Sequence, residues 1–122
     1  MPGKILVIDD EEDIAQVLVD RLEAWGFQTA VAHTGHDGLI LVETFGPDLV
    51  LLDVRLPDQI GTEVLRRIRH GHPQLPVIIV SASYSPALEQ EAREAGATDF
   101  VLKPYEPAEL KAKINAALGK SR

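Results

Sequence analysis

Five short, largely apolar runs alternate along the chain with longer stretches in which apolar residues recur at helical spacing. The first run, residues 4–8, is apolar throughout after its lysine, which is typical of a strand buried on both faces of a sheet. The second run is weaker and suits an edge position. The pattern predicts strands at residues 4–8, 29–32, 48–53, 76–81 and 99–103.

A helix is predicted after each strand. The first is marked by apolar residues three or four positions apart, followed by Gly26 as a C-terminal cap. These apolar residues are Ile14, Val17, Leu18, Leu22 and Trp25. The other helices are predicted from near Gly35 to Phe45, from Gly61 to Arg69, from Pro86 to about Ala95 with Ser85 as N-cap, and from Pro107 to about Leu118.

Five successive strand–helix units favour one fold class, because right-handed crossovers between such units build a parallel sheet with helices on both faces. We predict a single-domain α/β protein, a doubly wound five-stranded parallel sheet in the order 2-1-3-4-5 with five helices on two faces. Residues 1–122 are expected to form one domain with a core of about 4–118, and residues 119–122 a polar tail or the start of a linker.

The composition limits the cellular compartments and the binding partners that the protein can have. The 122 residues are 45% hydrophobic and 25% charged, an ordinary balance for one compact domain. The lack of cysteine fits a reducing compartment, and the N-terminal residues do not resemble a signal peptide. The net charge of −7 argues against a large nucleic-acid or anionic-membrane contact. We therefore expect a cytoplasmic protein that directly contacts neither nucleic acid nor a membrane.

The residues that end the predicted strands carry the candidate chemistry. Open parallel sheets bind ligands beyond the carboxyl ends of their strands, at the point where the strand order reverses. Asp9 and Asp10 end the first strand and Asp53 ends the third, its predicted neighbour, so three carboxylates are expected to converge. Ser81 and Lys103 end the fourth and fifth strands, further along the same edge.

Three converging carboxylates repel each other, so the cluster either needs a cation or takes up protons. Because the donor set contains oxygen only, we predict Mg²⁺ as the cofactor, an ion that also binds phosphate oxygens. Asp53 is then the best candidate nucleophile, since carboxylates form aspartyl phosphates. Lys103 is suited to balance the phosphoryl charge, and Ser81 to donate a hydrogen bond to a phosphoryl oxygen.

Four motifs in this order resemble the motif set of response-regulator receiver domains, the phosphoacceptor modules of two-component signalling. They are Asp9-Asp10, Asp53 with Pro57 four residues on, Ser81-Ala82 and Lys103-Pro104. Each motif alone is weak. Their common position at strand ends makes the set specific, and the resemblance runs from Lys4 to about Leu118.

The resemblance implies a Mg²⁺ site in which Asp10, Asp53 and the backbone carbonyl of Arg55 bind the ion directly and Asp9 binds it through a water. Asp53 would accept a phosphoryl group from a histidine kinase or a phosphotransfer protein. The receiver would promote this transfer and the later dephosphorylation without being a turnover enzyme. A cis peptide bond is implied before Pro104.

The resemblance also implies a switch. On phosphorylation the Ser81 hydroxyl moves toward the phosphoryl group and the ring of Phe100 turns inward. The face formed by helix 4, strand 5 and helix 5 then changes its contacts with a downstream effector domain or protein. Phe100 stands where the family more often has tyrosine. Arg55 and Ser83 stand where side chains tune the phosphoryl lifetime.

Other functions stay open beside this one. A receiver-like interaction module would act without phosphorylation. A Mg²⁺-dependent phosphohydrolase of the haloacid-dehalogenase type would carry two acids two residues apart after the first strand, whereas Asp9 and Asp10 are adjacent. A flavin binder would need a phosphate-binding loop after the first strand, whereas residues 9–13 are acidic. A monomer and a weak homodimer are both compatible with the sequence, as are a freestanding receiver and a part of a longer regulator.

The four histidines and one basic run are interpreted as solvated. The histidines fall in loops or at helix boundaries without carboxylates arranged around them, and they are His33, His36, His70 and His72. A local basic run on the third helix is interpreted as a solvated face, and it consists of Arg66, Arg67 and Arg69.

Overall fold

The computed structural model describes residues 3–120 and contains one parallel sheet in the order β2-β1-β3-β4-β5, as predicted. The strands are β1 (Lys4–Ile8), β2 (Gln28–Ala32), β3 (Leu49–Leu52), β4 (Val77–Ser81) and β5 (Asp99–Leu102). The helices that follow them are α1 (Glu12–Ala24), α2 (Gly35–Thr44), α3 (Gly61–Gly71), α4 (Pro86–Glu94) and α5 (Pro107–Lys120). The predicted edge position of β2 is confirmed.

The sheet is covered by an apolar layer on each face, because alternate residues of a strand point to opposite sides. In β1, Leu6 and Ile8 pack into the layer with α2, α3 and α4, whereas Ile5 and Val7 pack into the layer with α1 and α5. β3 is buried along its whole length, which explains its continuous apolar sequence. In β1 and β3 the first polar side chains after the apolar positions are therefore Asp9 and Asp53, at the carboxyl edge.

The buried stripe of α1 contains only part of the apolar pattern that predicts this helix. Ile14 is 42% exposed and Val17 is 57% exposed, although both belong to that pattern. A helix packed on one sheet face buries a single stripe at spacings of three and four residues. In α1 that stripe consists of Ala15, Leu18, Val19 and Leu22.

Two predicted helix ends are confirmed. Ser85 Oγ accepts a hydrogen bond from the Leu88 N–H at 3.0 Å, with Pro86 in the first turn of α4. After α1, Gly26 adopts a φ of 97°, and the N–H groups of Gly26 and Phe27 donate to carbonyl oxygens of the last turn.

Two side chains interpreted as solvated, Arg69 and His72, instead make hydrogen bonds near the amino edge of the sheet. The guanidinium of half-buried Arg69 donates to the carbonyl oxygens of Gly96, His72 and Leu75, and so joins the end of α3 to the turn before β5. The prediction of a solvated Arg69 was therefore wrong. His72 Nε2 lies 2.6 Å from Glu43 Oε2, so this histidine does have a carboxylate beside it.

Helix α5 continues through Lys120, past the predicted end of the core at residue 118. Residues 121 and 122 of the predicted tail, and the N-terminal residues 1 and 2, lie outside the described residues. Within residues 3–120, no helix is both long enough and apolar enough to cross a membrane.

Candidate functional site

Asp9 and Asp53 lie side by side at the carboxyl edge of the sheet. They follow neighbouring strands in which Ile8 is in register with Leu52. The backbone ladder continues past the strands, since Asp9 N–H donates to Ala32 O at 3.0 Å and Asp53 N–H to Ile8 O at 2.9 Å. The two residues are only 3% and 7% exposed. Carboxylates this deeply buried need a charged partner.

Lys103 is that partner. Its Nζ lies 2.9 Å from Asp9 Oδ2 and 3.3 Å from Asp53 Oδ2, and its side chain is itself largely buried. The Lys103 N–H donates to Ser81 O at 2.7 Å, which holds the residue after β5 against the end of β4. The peptide bond between Lys103 and Pro104 is cis, as the resemblance implies.

The second oxygen of each buried carboxylate is held by its own loop. Glu11 N–H donates to Asp9 Oδ1 at 3.0 Å, and Arg55 N–H donates to Asp53 Oδ1 at 3.1 Å. Such bonds to the backbone two residues on are Asx turns, which start the loops toward α1 and α3. Both oxygens of each carboxylate therefore have partners, which fixes their orientation.

Two exposed acids complete an acidic cluster. Carboxylate oxygens of Asp9, Asp10, Glu11 and Asp53 lie within 4.8 Å of one another. This oxygen-only set suits a hard divalent cation. The predicted convergence of three aspartates is confirmed. Glu11 was not among the predicted ligands, although the unbroken acidic run at residues 9–13 was a signal for it.

Burial and charge oppose each other at the centre of the cluster. Burial raises the pKa of the Asp53 carboxyl above its usual value, and the Arg55 N–H and the Lys103 charge offset this only in part. Burial alone lowers the pKa of Lys103, but the hydrogen bond to Asp9 and the two carboxylate charges outweigh it, so the Lys103 pKa is raised. Lys103 therefore stays charged at neutral pH, whereas the Asp53 anion is incompletely compensated.

Ser81 and Phe100, the two residues of the implied switch, lie on one face of the sheet. Phe100 is in register with Ile79, and Ser81 follows Ile79 by two residues, so the three side chains point to the same side. The Ser81 hydroxyl accepts a hydrogen bond from the Ser83 N–H at 3.0 Å. The Phe100 ring is buried and packs edge-on against Tyr84, with ring centroids 5.9 Å apart.

Tyr84 was not predicted as part of this region, although it follows Ser83 directly. Its O–H donates to Glu89 Oε1 at 2.8 Å, and this hydrogen bond raises the pKa of Tyr84. The ring links the loop after β4 to α4, and it is itself exposed while it packs against buried Phe100. It thus joins the switch region to the face formed by α4 and β5.

The loop between β2 and α2, together with the first residues of α2, contacts the β1–α1 loop and the β3–α3 loop. His33 Nδ1 lies 2.8 Å from the carbonyl oxygen of Asp9, and because a carbonyl only accepts, Nδ1 carries the proton. The N–H groups of Gly35 and His36 donate to Asp58 Oδ1 and Oδ2 at 2.8 and 2.9 Å, which lowers the pKa of Asp58. The interpretation of His33 as solvated was wrong, since its ring is half-buried and bonded.

A family model described as the response regulator receiver domain matches residues 5–115 of the chain. The match runs from β1 into α5 and contains every strand end described above.

Two curated proteins of Bacillus subtilis (strain 168) are similar over nearly the whole chain. The uncharacterized transcriptional regulatory protein YkoG is 46% identical over 116 residues, which cover 95% of this chain and 51% of that protein. The alkaline phosphatase synthesis transcriptional regulatory protein PhoP is 37% identical over 121 residues, which cover 99% of this chain and 50% of that protein. The chain thus spans about half the length of these relatives.

A solved structure is similar over the whole fold. The response regulator receiver domain protein (CheY-like) from Methanospirillum hungatei JF-1 superposes with a TM-score of 0.94 at 30% identity, covering 99% of this chain and 97% of that chain. The strand order and the helix arrangement described above are thus those of a CheY-like receiver.

Proposed function

Because the chain belongs to the response-regulator receiver domain family of two-component signalling, we propose that it accepts a phosphoryl group on Asp53 and thereby changes the partner it binds. The observation that carries this proposal is the pairing of buried Asp53 with Lys103 inside a cluster of four carboxylates. One ammonium group cannot balance four carboxylates, so the cluster is suited to recruit a divalent cation.

Mg²⁺ is the cofactor proposed for this cluster. Asp10, Asp53 and the backbone carbonyl of Arg55 would bind it directly, and Asp9 would bind it through a water. The chemistry of the donor set supports a hard cation, because the cluster offers only oxygen atoms, and exposed Glu11 adds one more oxygen donor. When bound, the ion supplies charge neutralisation and a ligand position for phosphate oxygens.

The proposed reaction is phosphoryl transfer from a phosphohistidine of a histidine kinase or a phosphotransfer protein. An oxygen of the Asp53 carboxylate forms a bond to phosphorus while the P–N bond breaks, and its electron pair goes to the donor imidazole nitrogen. The Arg55 N–H at Oδ1 and Lys103 at Oδ2 hold the Asp53 carboxylate in one orientation. This restraint lowers the entropic cost of reaching the transition state.

Lys103 and Ser81 are proposed to respond to the new phosphoryl group. Lys103 would transfer part of its contact from the Asp53 oxygen to a phosphoryl oxygen. The Ser81 hydroxyl, at the end of the strand beside β3, would turn from the Ser83 amide toward the same group. Because Phe100 lies on the same face of the sheet as Ser81, the turn of the Ser81 hydroxyl would change the packing of the Phe100 ring. The surface formed by α4, β5 and α5 would change with it.

That surface is the proposed contact for a downstream effector domain or protein. Both Bacillus subtilis relatives are transcriptional regulatory proteins of about twice the matched length. This supports an effector domain that acts in transcription, joined to or contacted by a receiver unit of residues 4–118. The receiver itself is proposed to make no direct contact with nucleic acid.

The proposed docking surface for the phosphodonor is the exposed side of α1. Ile14 and Val17 are the large apolar residues that this helix exposes, and they lie close to the acidic cluster in sequence. A cavity of about 390 Å³ adjoins Ile14 and is also lined by Lys103 and Tyr105. An exposed apolar patch beside a reacting carboxylate is suited to a protein partner.

A titration with beryllium fluoride and Mg²⁺ tests the proposed site without a protein donor. Beryllium fluoride binds a carboxylate as a mimic of a phosphoryl group. We expect saturable backbone amide NMR shifts at residues 53–55, 81–84 and 100–103 in the wild type and none of these in Asp53→Ala. Equal shifts in both proteins contradict the proposal. Multiple turnover of a small phosphomonoester would favour a phosphohydrolase instead.

A further inference from the structure

Residues 33–36, here called the bridging segment, connect the two loops that carry the acidic cluster. At one end His33 Nδ1–H donates to the Asp9 carbonyl at 2.8 Å. At the other end two successive N–H groups hold Asp58 of the β3–α3 loop. We propose that His33 is a positioning residue of the metal site, which fixes the peptide group between Asp9 and Asp10 and so directs the Asp10 carboxylate. This inference rests on the proposed function of the cluster.

Asp9 is restrained at each of its polar atoms. Its N–H donates to Ala32 O, and its carboxylate oxygens accept from Glu11 N–H and Lys103 Nζ. These contacts fix Asp9 itself. The contact from His33 acts on the carbonyl oxygen, which belongs to the next peptide group. Because a peptide group is planar, holding this oxygen also sets the positions of the nitrogen and Cα of Asp10.

Asp10 requires such a restraint because of its charge. It is exposed, and one of its carboxylate oxygens lies within 4.8 Å of carboxylate oxygens of three neighbours. Repulsion between like charges favours a conformation in which this exposed carboxylate turns away into solvent. A fixed peptide group limits that movement, so the carboxylate stays in the position needed for a shared cation.

Gly35 and His36, at the other end of the bridging segment, hold the segment itself in place. Asp58 accepts two hydrogen bonds from the first N–H groups of α2, where a carboxylate is favoured by the free amides and the helix dipole. Gly35 is tightly packed, because a Cβ there would lie 2.7 Å from the Gln59 side chain. His33 therefore extends from a segment that is held to the β3–α3 loop by contacts independent of Asp9.

A matched pair of substitutions separates the hydrogen bond from mere packing. The amide nitrogen of asparagine occupies about the position of Nδ1 in histidine, whereas that of glutamine corresponds to Nε2. We expect His33→Asn to keep most of the wild-type affinity for Mn²⁺ and His33→Gln to weaken it roughly tenfold, the usual effect of losing a residue that orients a metal ligand. His36→Leu, an exposed site in the same segment whose N–H is retained, is expected to bind as the wild type does.

Binding is measured by electron paramagnetic resonance of free Mn²⁺, with thermal unfolding in a chelator recorded for each variant. Weaker binding by His33→Gln alone, at an unfolding temperature similar to that of His33→Asn, supports the proposal. Equal affinities of wild type and His33→Gln overturn the role of His33 while leaving the metal site intact. A wild type that does not bind Mn²⁺ overturns the proposed metal site itself.

Discussion

Lys103 Nζ lies 2.9 Å from Asp9 Oδ2, although 94 residues separate the two along the chain. The strands that precede them do not adjoin, since β3 and β4 lie between β1 and β5. The lysine side chain therefore reaches across the sheet edge and contacts Asp53 as well. A divalent cation in the acidic cluster and Lys103 would both draw on the negative charge of Asp9 and Asp53, and this competition leads to the first prediction.

Replacement of Lys103 by methionine is expected to change metal binding and phosphoryl transfer in opposite directions. Methionine keeps the apolar stem but removes the charge. Mn²⁺ is expected to bind more tightly, because no ammonium competes for the oxygens of Asp9 and Asp53. Phosphoryl uptake from acetyl phosphate is expected to slow roughly 10- to 100-fold, since a charge-assisted hydrogen bond contributes about 1.5–3 kcal/mol.

These two effects are measured by a Mn²⁺ titration and by the time course of intact mass. Lys111→Met, an exposed lysine of α5, serves as the control and is expected to leave both quantities unchanged. Weaker Mn²⁺ binding by Lys103→Met would contradict the competition inferred from the geometry.

Asp58 is expected to make the stability of the fold depend on pH. The N–H groups of Gly35 and His36 hold its pKa below the ordinary value of 3.8. Because the folded-state pKa is depressed, this stabilisation is complete above the ordinary value and is lost as the pH falls through the folded-state pKa. Asp58→Asn is therefore expected to lower the unfolding temperature at neutral pH.

The difference between wild type and Asp58→Asn should shrink as the pH is lowered below 3.8. Thermal unfolding followed by circular dichroism across this range checks the prediction. A difference of constant size at every pH would show that the carboxylate charge is not the cause.

Arg69 is expected to be a stability residue without a role in phosphoryl transfer. Its guanidinium donates to three carbonyl oxygens, and Nη2 lies 3.4 Å from Thr98 Oγ1, all at the amino edge of the sheet. Arg69→Met keeps the stem but leaves these partly buried acceptors without a donor, which is expected to cost about 2 kcal/mol of unfolding free energy. Arg66 lies on the exposed side of the same helix, so Arg66→Met is expected to change the unfolding free energy by less than about 0.5 kcal/mol.

Urea unfolding measures both free energies. Acetyl phosphate uptake by folded Arg69→Met should equal that of wild type, because the side chain lies at the edge opposite the acidic cluster. An unfolding free energy equal to that of Arg66→Met would contradict the role of Arg69.

Arg55 is predicted to control how long the phosphoryl group persists. Its side chain is exposed and follows Asp53 by two residues, whereas its backbone N–H holds the Asp53 carboxylate. Arg55→Ala removes the side chain and keeps the backbone groups, so water should reach the acyl phosphate more easily and dephosphorylation should be faster. Ser83 is half-buried in the loop after β4 and is the other residue predicted to tune the phosphoryl lifetime, so Ser83→Ala tests that second position. Equal decay rates of wild type and Arg55→Ala contradict this role.

The strand ends were predictable from sequence because burial leaves a strong local signal. Strands buried on both faces are continuously apolar, and such runs end abruptly at Asp9 and at Asp53. Once the strand order was inferred, the convergence of these acids followed from parallel topology, whereas Lys103 was placed only further along the same edge. The fold and the centre of the acidic cluster could therefore be predicted together.

The contacts of single side chains outside that centre were less predictable. The apolar residues of α1 do not reveal that Ile14 and Val17 face away from the sheet, because the phase of a helix is set by its packing. His33 bonds to a main-chain carbonyl, an acceptor that every residue carries, so no residue type marks the pair. Such contacts depend on how far each loop projects beyond the sheet, which local sequence patterns do not encode.

The central claim is that Asp53 accepts a phosphoryl group, and incubation with acetyl phosphate and Mg²⁺ tests it most directly. Intact mass is recorded for wild type and for Asp53→Ala, with and without a chelator. We predict that wild type gains one labile phosphoryl group only when Mg²⁺ is present and that Asp53→Ala gains none. Equal uptake by both proteins, or uptake that persists in the chelator, would contradict the assignment of Asp53 and its metal site.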